Sequence, residues 1–214
     1  MSSLASIRGD VRKDLHDEDS SAYRWVDAVL DRHVKRAVRE YSFYNPLEQK
    51  TSLVTLSNSR DVDVSSLTPR VRIVAAEYPA GQYPPSFTPF SLWGDTLTLD
   101  LEGAPAGTPG VIVLWHKVHA INGSVTFPTT DDDIIATGAA GFAALELASF
   151  ASNRVNVGGD NVWGRYLDFG QQRLKDFYDQ LRRLPSSNRL RSGRFYSPVD
   201  VRLTSQTTDP GPMW

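Results

Sequence analysis

The sequence predicts an α+β protein: a four-helix bundle with a small antiparallel β domain inserted into it and an extended C-terminal arm. Three observations carry that expectation. Apolar residues recur every three or four positions in four separate segments. Between the second and third of these, from about Leu47 to about Val118, helical spacing gives way to short alternating runs. After Pro185 neither pattern holds.

The first segment places Leu4, Ile7, Val11 and Leu15 on one helical face, and Ser2 or Ser3 can cap it by accepting from an orphan amide. His16 to Ser21 is a polar connector. The second helix is expected over Val26–Tyr41. Its stripe is Val26, Val29, Leu30, His33, Val34, Ala37, Val38 and Tyr41, with Arg32, Lys35, Arg36 and Arg39 on the other faces. Asn45-Pro46 ends it, because proline disfavours a helical residue before it. Candidate strands follow at Ser52–Leu56, Val71–Ala75, Phe87–Trp93, Thr96–Leu101 and Val111–Val118. Gly94-Asp95 sits between two of them as a hairpin signal. A third helix is expected from Asp131 to about Asn153, with Asp131, Asp132 and Asp133 at its positive end. Its run Thr137-Gly138-Ala139-Ala140-Gly141-Phe142 is rich in small residues, which suit close helix approach or a crowded interface. Gly158-Gly159 interrupts the chain. A fourth helix, about Asp160 to Leu184, aligns Trp163, Tyr166, Leu167, Gly170, Leu174, Phe177, Leu181 and Leu184, and Pro185 is expected to stop it. The expected domains are therefore a helical one from residues 1–46 and 129–184, a β insert over 47–128, and an arm over 185–214.

Composition narrows the function classes. With no cysteine, disulfides, thiolate metal sites and cysteine nucleophiles are excluded. The first residues show no apolar signal segment, and no stretch looks long enough to span a bilayer; Ile134 to Ala151 reads as a buried helix. Asn122-Gly123-Ser124 matches a glycosylation sequon and reads as a turn. The formal net charge of −2 argues against whole-surface binding of nucleic acid. Charge is nevertheless uneven, with Asp10, Asp14, Asp17, Glu18 and Asp19 at the front and Arg182, Arg183, Arg189, Arg191 and Arg194 near the end.

A search for chemistry finds little. His116 and His119, three apart on a strand, point to opposite faces and read as surface histidines near a strand end. Asp131 to Asp133 could bind a cation, but helix capping accounts for them better. Gly138 to Gly141 and Gly158-Gly159 lack the context of a phosphate loop. His33 reads as a core or interface histidine. Trp93 and Trp115 could stack on a sugar but suit a core better. No catalytic residue, metal or cofactor is expected. The terminal segment is more informative: Phe195, Tyr196, Val199, Val201 and Leu203 interleave with Arg191, Arg194 and Arg202, the composition of an interface anchor.

Two stretches carry a resemblance. One is Ile7-Arg8-Gly9-Asp10-Val11-Arg12-Lys13-Asp14-Leu15, with Asp17-Glu18-Asp19, Tyr23-Arg24-Trp25 and Leu30 to Tyr41. The other runs from Ile135-Ala136-Thr137-Gly138-Ala139-Ala140 through Ala144-Leu145-Glu146 and Asn153-Arg154-Val155-Asn156 to Trp163, Tyr166 and Gln171-Gln172-Arg173-Leu174. The chain resembles head-to-tail adaptor (connector) proteins of tailed bacteriophages over its helices, a little over half its length. The resemblance implies a non-enzymatic ring, commonly dodecameric, made in the bacterial cytoplasm and placed in the virion at the head–tail junction. Such a ring meets the portal protein on one side and a tail or head-closure protein on the other. It passes DNA through its lumen without reading sequence and involves no membrane. It also implies a C-terminal arm on the portal, here Arg189, Arg191, Arg194, Phe195, Tyr196, Val199, Val201, Arg202 and Leu203. Gly138, Ala139, Gly141, Phe142 and Leu145 would serve packing within or between subunits. Asp10, Asp14, Asp17, Glu18 and Asp19 would face the channel. The competing expectations are another neck protein (a head-closure stopper or tail terminator), a carbohydrate-binding module using Trp93 and Trp115, and a metal-dependent hydrolase using Asp131 to Asp133.

Overall fold

The computed structural model describes residues 2–122, 125–151 and 162–187. The described residues form a mixed α+β structure with four α-helices and two small antiparallel sheets. The whole stretch from Arg189 to Leu203 on which the arm was read, and Gly158-Gly159, lie outside the described residues.

Helix α1 spans Leu4–Asp14 and starts where expected. Ser3 caps it, and Ser6 answers from the third helical position, closing a capping box. Helix α2 covers Asp27–Tyr44. Val26 is its N-cap, not part of its stripe, and is 62% exposed. Helix α3 covers Asp132–Ala151 and is preceded by a 3-10 turn at Thr129–Asp131. Helix α4 covers Val162–Ser187 and so runs past Pro185. Among the described residues Pro185 does not end the helix, which continues through Ser186 and Ser187. Ile7, Val11, Leu30, Val34, Tyr41, Ile135, Phe142, Phe177 and Leu181 belong to one apolar cluster fed by all four helices.

Helix α3 touches each of the other three and is buried from Ile135 to Ala144, which is where its apolar and small residues run unbroken, while Asp133, Glu146, Ser149 and Phe150 are exposed. Contrary to expectation, Thr129–Phe150 is long and apolar enough to cross a membrane by length and composition; most of it is buried inside the structure. Its glycines set how near α4 comes. A Cβ on Gly138 would sit 2.8 Å from the Phe177 ring, and one on Gly141 would sit 2.9 Å from Leu174 Cγ. From the α4 side, a Cβ on Gly170 would meet Leu145 at 2.9 Å.

The strands are β1 (Leu47–Leu53), β2 (Asp61–Asp63), β3 (Arg70–Glu77), β4 (Phe87–Thr88), β5 (Phe90–Trp93), β6 (Thr96–Leu99) and β7 (Val111–Lys117). One sheet has the order β1-β7-β3-β4, the other β2-β6-β5. They enclose a second apolar cluster that includes Val62, Leu67, Leu97, Leu99, Val111, Val113 and Trp115. The run Phe87–Trp93 is not one strand: it divides at Pro89 and serves both sheets, since proline cannot donate to a ladder. Strand β1 begins at Leu47, earlier than the apolar pattern suggested. It is a sheet edge whose Glu48 and Lys50 face outward. The Gly94-Asp95 turn joins β5 to β6 as expected, with Gly94 at φ +59°, a conformation glycine adopts without strain.

Candidate functional site

Two charged faces stand out, one on the helices and one on the strands. The first follows from the periodicity of α2. Its buried residues, Leu30, Val34, Ala37, Val38 and Tyr41, occupy one stripe, so the residues between them must point outward. Those residues are Arg32, Lys35, Arg36 and Arg39, all exposed. They border a groove of about 980 Å³ whose apolar side is Phe142 and Leu145 of α3 and Leu174 of α4. The Arg36 guanidinium stacks over the Phe142 ring, 4.0 Å from its centre. Arg32 pairs with Glu146, and His33 Nε2 lies 2.5 Å from the same carboxylate without the alignment of a hydrogen bond. Burial holds the His33 ring below its ordinary pKa, against the pull of Glu146. For Glu146, burial works against ionisation, but Arg32 and His33 outweigh it and its carboxyl titrates low. Lys35, Arg36 and Arg39 have no ion-pair partner among the described residues.

The second face is set by strand register. Across β2-β6-β5, Asp63 pairs with Thr96 and Thr96 with Trp93, while Asp61 pairs with Thr98 and Thr98 with Ser91. Residues paired in this way share a side of the sheet. One side therefore carries Val62, Leu97 and Leu99 into the core. The other carries Asp61, Asp63, Thr96, Thr98, Ser91 and Trp93. Trp93 is 90% exposed at the turn. Arg70 fixes that turn from behind by donating to the Gly94 carbonyl at 3.1 Å and pairing with Asp95 at 3.0 Å. Asp61 accepts from Thr98 and Asp63 from the Ser65 amide; that amide draws the Asp63 carboxyl below its usual pKa.

The predicted site residues fall as follows. Asp17 is buried, accepts from Arg12 at 2.6 Å and from the Arg24 amide at 2.7 Å, and so cannot face a lumen. Asp10 pairs with Lys13 and Asp14 with Arg173. Glu18 and Asp19 are exposed, Asp19 accepting from Ser21. Gly138, Ala139, Gly141 and Phe142 are buried within the chain, at the α3–α4 contact and the helical core, with Leu145 half-buried against Gly170. His116 and His119 are not on the surface: both are buried. His116 Nδ1 accepts from Arg72 Nε at 3.0 Å. His119 Nε2 meets the Asn45 carbonyl and Nδ1 the Thr126 hydroxyl, both at 2.9 Å. A carbonyl only accepts, so Nε2 carries a proton, and burial holds the pKa of the ring below its ordinary value. Trp115 is buried with its indole donating to Thr51, so it cannot form a sugar platform with Trp93. Trp93, read as a core residue, is exposed because it ends a hairpin. Asp131 accepts from Tyr41 and Asp132 from Ser2, and no group of three or more metal-ligating side chains occurs among the described residues.

The acidic face went unrecognised because β2 did. Asp61-Val62-Asp63-Val64 does alternate as a half-buried strand should, and that signal could have found it. The α2 cations were visible in sequence, but only the fold sets them around an aromatic floor. A scan against protein-family models and a search of curated proteins find no match to this chain, so the two faces are interpreted from their own chemistry.

Proposed function

We propose that this protein is a structural, non-enzymatic ring subunit that joins a bacteriophage capsid portal to its tail and continues the DNA channel. The observation that carries this reading is that the two stretches on which the resemblance rests meet in one network. Arg8 bonds Asp31 at 3.1 Å, Arg12 bonds Asp17 and Asp27 at 2.6 Å each, Asp14 bonds Arg173 at 3.3 Å, and Trp25 meets Tyr166 edge-on. All of these residues except Asp27 belong to the resembling stretches, and the contacts tie α1, α2 and α4 together. In this reading the helices form one bundle, 47–128 is an inserted domain, and 185–214 is the arm that grips the portal. Each arm makes a modest contact, and a ring of them holds through high effective concentration. Glu18 and Asp19 then face the channel, where repulsion from phosphates lets DNA slide.

Native mass spectrometry of the protein mixed with its cognate portal ring tests the reading. Full-length protein should load with the portal's stoichiometry, and a version ending at Ser187 should not. Equal loading by both would move the anchor to the helices. Failure of both would overturn the portal partnership.

A further inference from the structure

We propose that the acidic, tryptophan-tipped face of β2-β6-β5 docks into the cationic groove of α2 on a second copy of this chain. The two faces are complementary in charge. The groove's lining carries four cations, Arg32, Lys35, Arg36 and Arg39, against two carboxylates, Glu40 and Glu146, and Lys35, Arg36 and Arg39 form no ion pair among the described residues. The sheet face offers Asp61 and Asp63 with no basic partner among them. They are complementary in chemistry as well. Trp93 is almost fully exposed, and the groove has an aromatic floor at Phe142 already stacked beneath a guanidinium. An exposed indole entering such a groove gains apolar burial and cation–π contact together. The hairpin arrives preorganised, because Arg70 holds the Gly94-Asp95 turn in place.

The alternatives fit less well. The arm read from Arg189, Arg191, Arg194 and Arg202 repels the α2 cations. Nucleic acid would match the groove but leaves the acidic face and Trp93 without an occupant. Self-docking uses both.

The contact is heterologous: each copy gives one face and receives on a different one. Such contacts propagate head to tail and close into a ring when the rotation permits. That closure rests on the ring reading above; the pairwise contact does not.

The test uses two full-length variants, each altered on one exposed face. The groove variant is Lys35→Ala/Arg39→Ala and the face variant is Asp63→Asn/Trp93→Ala, so that the two altered surfaces carry no charges that could attract each other. Circular dichroism and melting should match the parent for both. Sedimentation velocity from about 10 µM to about 1 mM covers the range of weak specific interfaces. The parent should self-associate over that range. Each variant alone should do so at least about tenfold more weakly. An equimolar mixture should form a heterodimer and nothing larger, because one intact groove and one intact face remain. A parent that stays monomeric throughout, a variant that associates as the parent does, or a mixture that stays monomeric would each overturn the proposal. Titration with a labelled DNA duplex runs in parallel: binding lost in the groove variant, beside a monomeric parent, assigns the groove to phosphate instead. Portal loading is scored separately, so loss of that partnership with self-association intact leaves this contact standing.

Discussion

Replacing a glycine by alanine inside a helix normally stabilises it by about 1 kcal/mol, because glycine loses more backbone freedom on folding. Gly138→Ala should do the reverse. The new methyl would lie 2.8, 2.8 and 2.9 Å from three atoms of the Phe177 ring, inside the distance real Cβ atoms keep. The ring has nowhere to swing. Phe177 is fully buried and packs edge-on against Phe142 at 6.3 Å and tilted against Tyr178 at 5.3 Å. Overpacking against a fixed ring costs about 2–3 kcal/mol, which exceeds the propensity gain and leaves a net loss of about 1–2 kcal/mol. Gly9→Ala is the matched control, since it lies within α1 with nothing within 4 Å of its added methyl. It should gain about 0.5–1 kcal/mol. Urea denaturation with unchanged slope measures both. The decisive quantity is the sign: if both substitutions stabilise alike, the α3–α4 approach is not set by Gly138 as argued. Adding Phe177→Leu should return part of the loss in the Gly138→Ala background.

The buried guanidinium of Arg12 bonds Asp17, Asp27 and the Trp25 carbonyl, so Arg12→Met should strand the buried Asp17 carboxylate and cost about 3–5 kcal/mol in chemical denaturation; a loss under about 1 kcal/mol would contradict the network. Burial lowers the pKa values of His119 and His33 from the ordinary 6.5. The unfolded chain then binds more protons than the folded one just below that value, so stability is full above it and falls as pH drops through 6.5 toward the lower folded values. The melting temperature should decline between about pH 7.5 and pH 5.5, and less steeply in His119→Gln; a profile flat over that window would refute the assignment. Gly110→Ala should push β1 away from β7, because its methyl runs into the Leu53 carbonyl oxygen, and amide exchange along Leu47–Leu53 should accelerate while the helices stay protected.

What could be seen in the sequence was what local chemistry decides. The α1 cap, the α2 stripe, the stop at Asn45-Pro46 and the Gly94-Asp95 turn each depend on neighbours a few residues away. The misjudged elements depend on distant partners. Strand β1 owes its existence to pairing with β7 from Leu47↔Lys117 to Leu53↔Val111, which no local pattern announces. The split at Pro89 reflects a choice between two sheets. His119 looked like a surface residue because its partners, Ser42, Asn45 and Thr126, come from both sides of the strand-rich segment. The groove was half visible: four cations on one helix could be listed, but Phe142 and Leu174 beneath them are placed by α3 and α4.

The pairing of Leu47 with Lys117 has a consequence for how this architecture can change. Chain leaves the helices just after Asn45 and comes back at His119, and His119 is bonded to Asn45 itself. Everything between hangs from adjacent anchor points and seals its own apolar cluster. Cutting at those points leaves a gap that a short loop can close, and loop closure over a small gap costs little entropy. A variant in which the strand-rich segment is shortened, enlarged or replaced should therefore keep the helical apolar cluster folded while changing what the molecule meets.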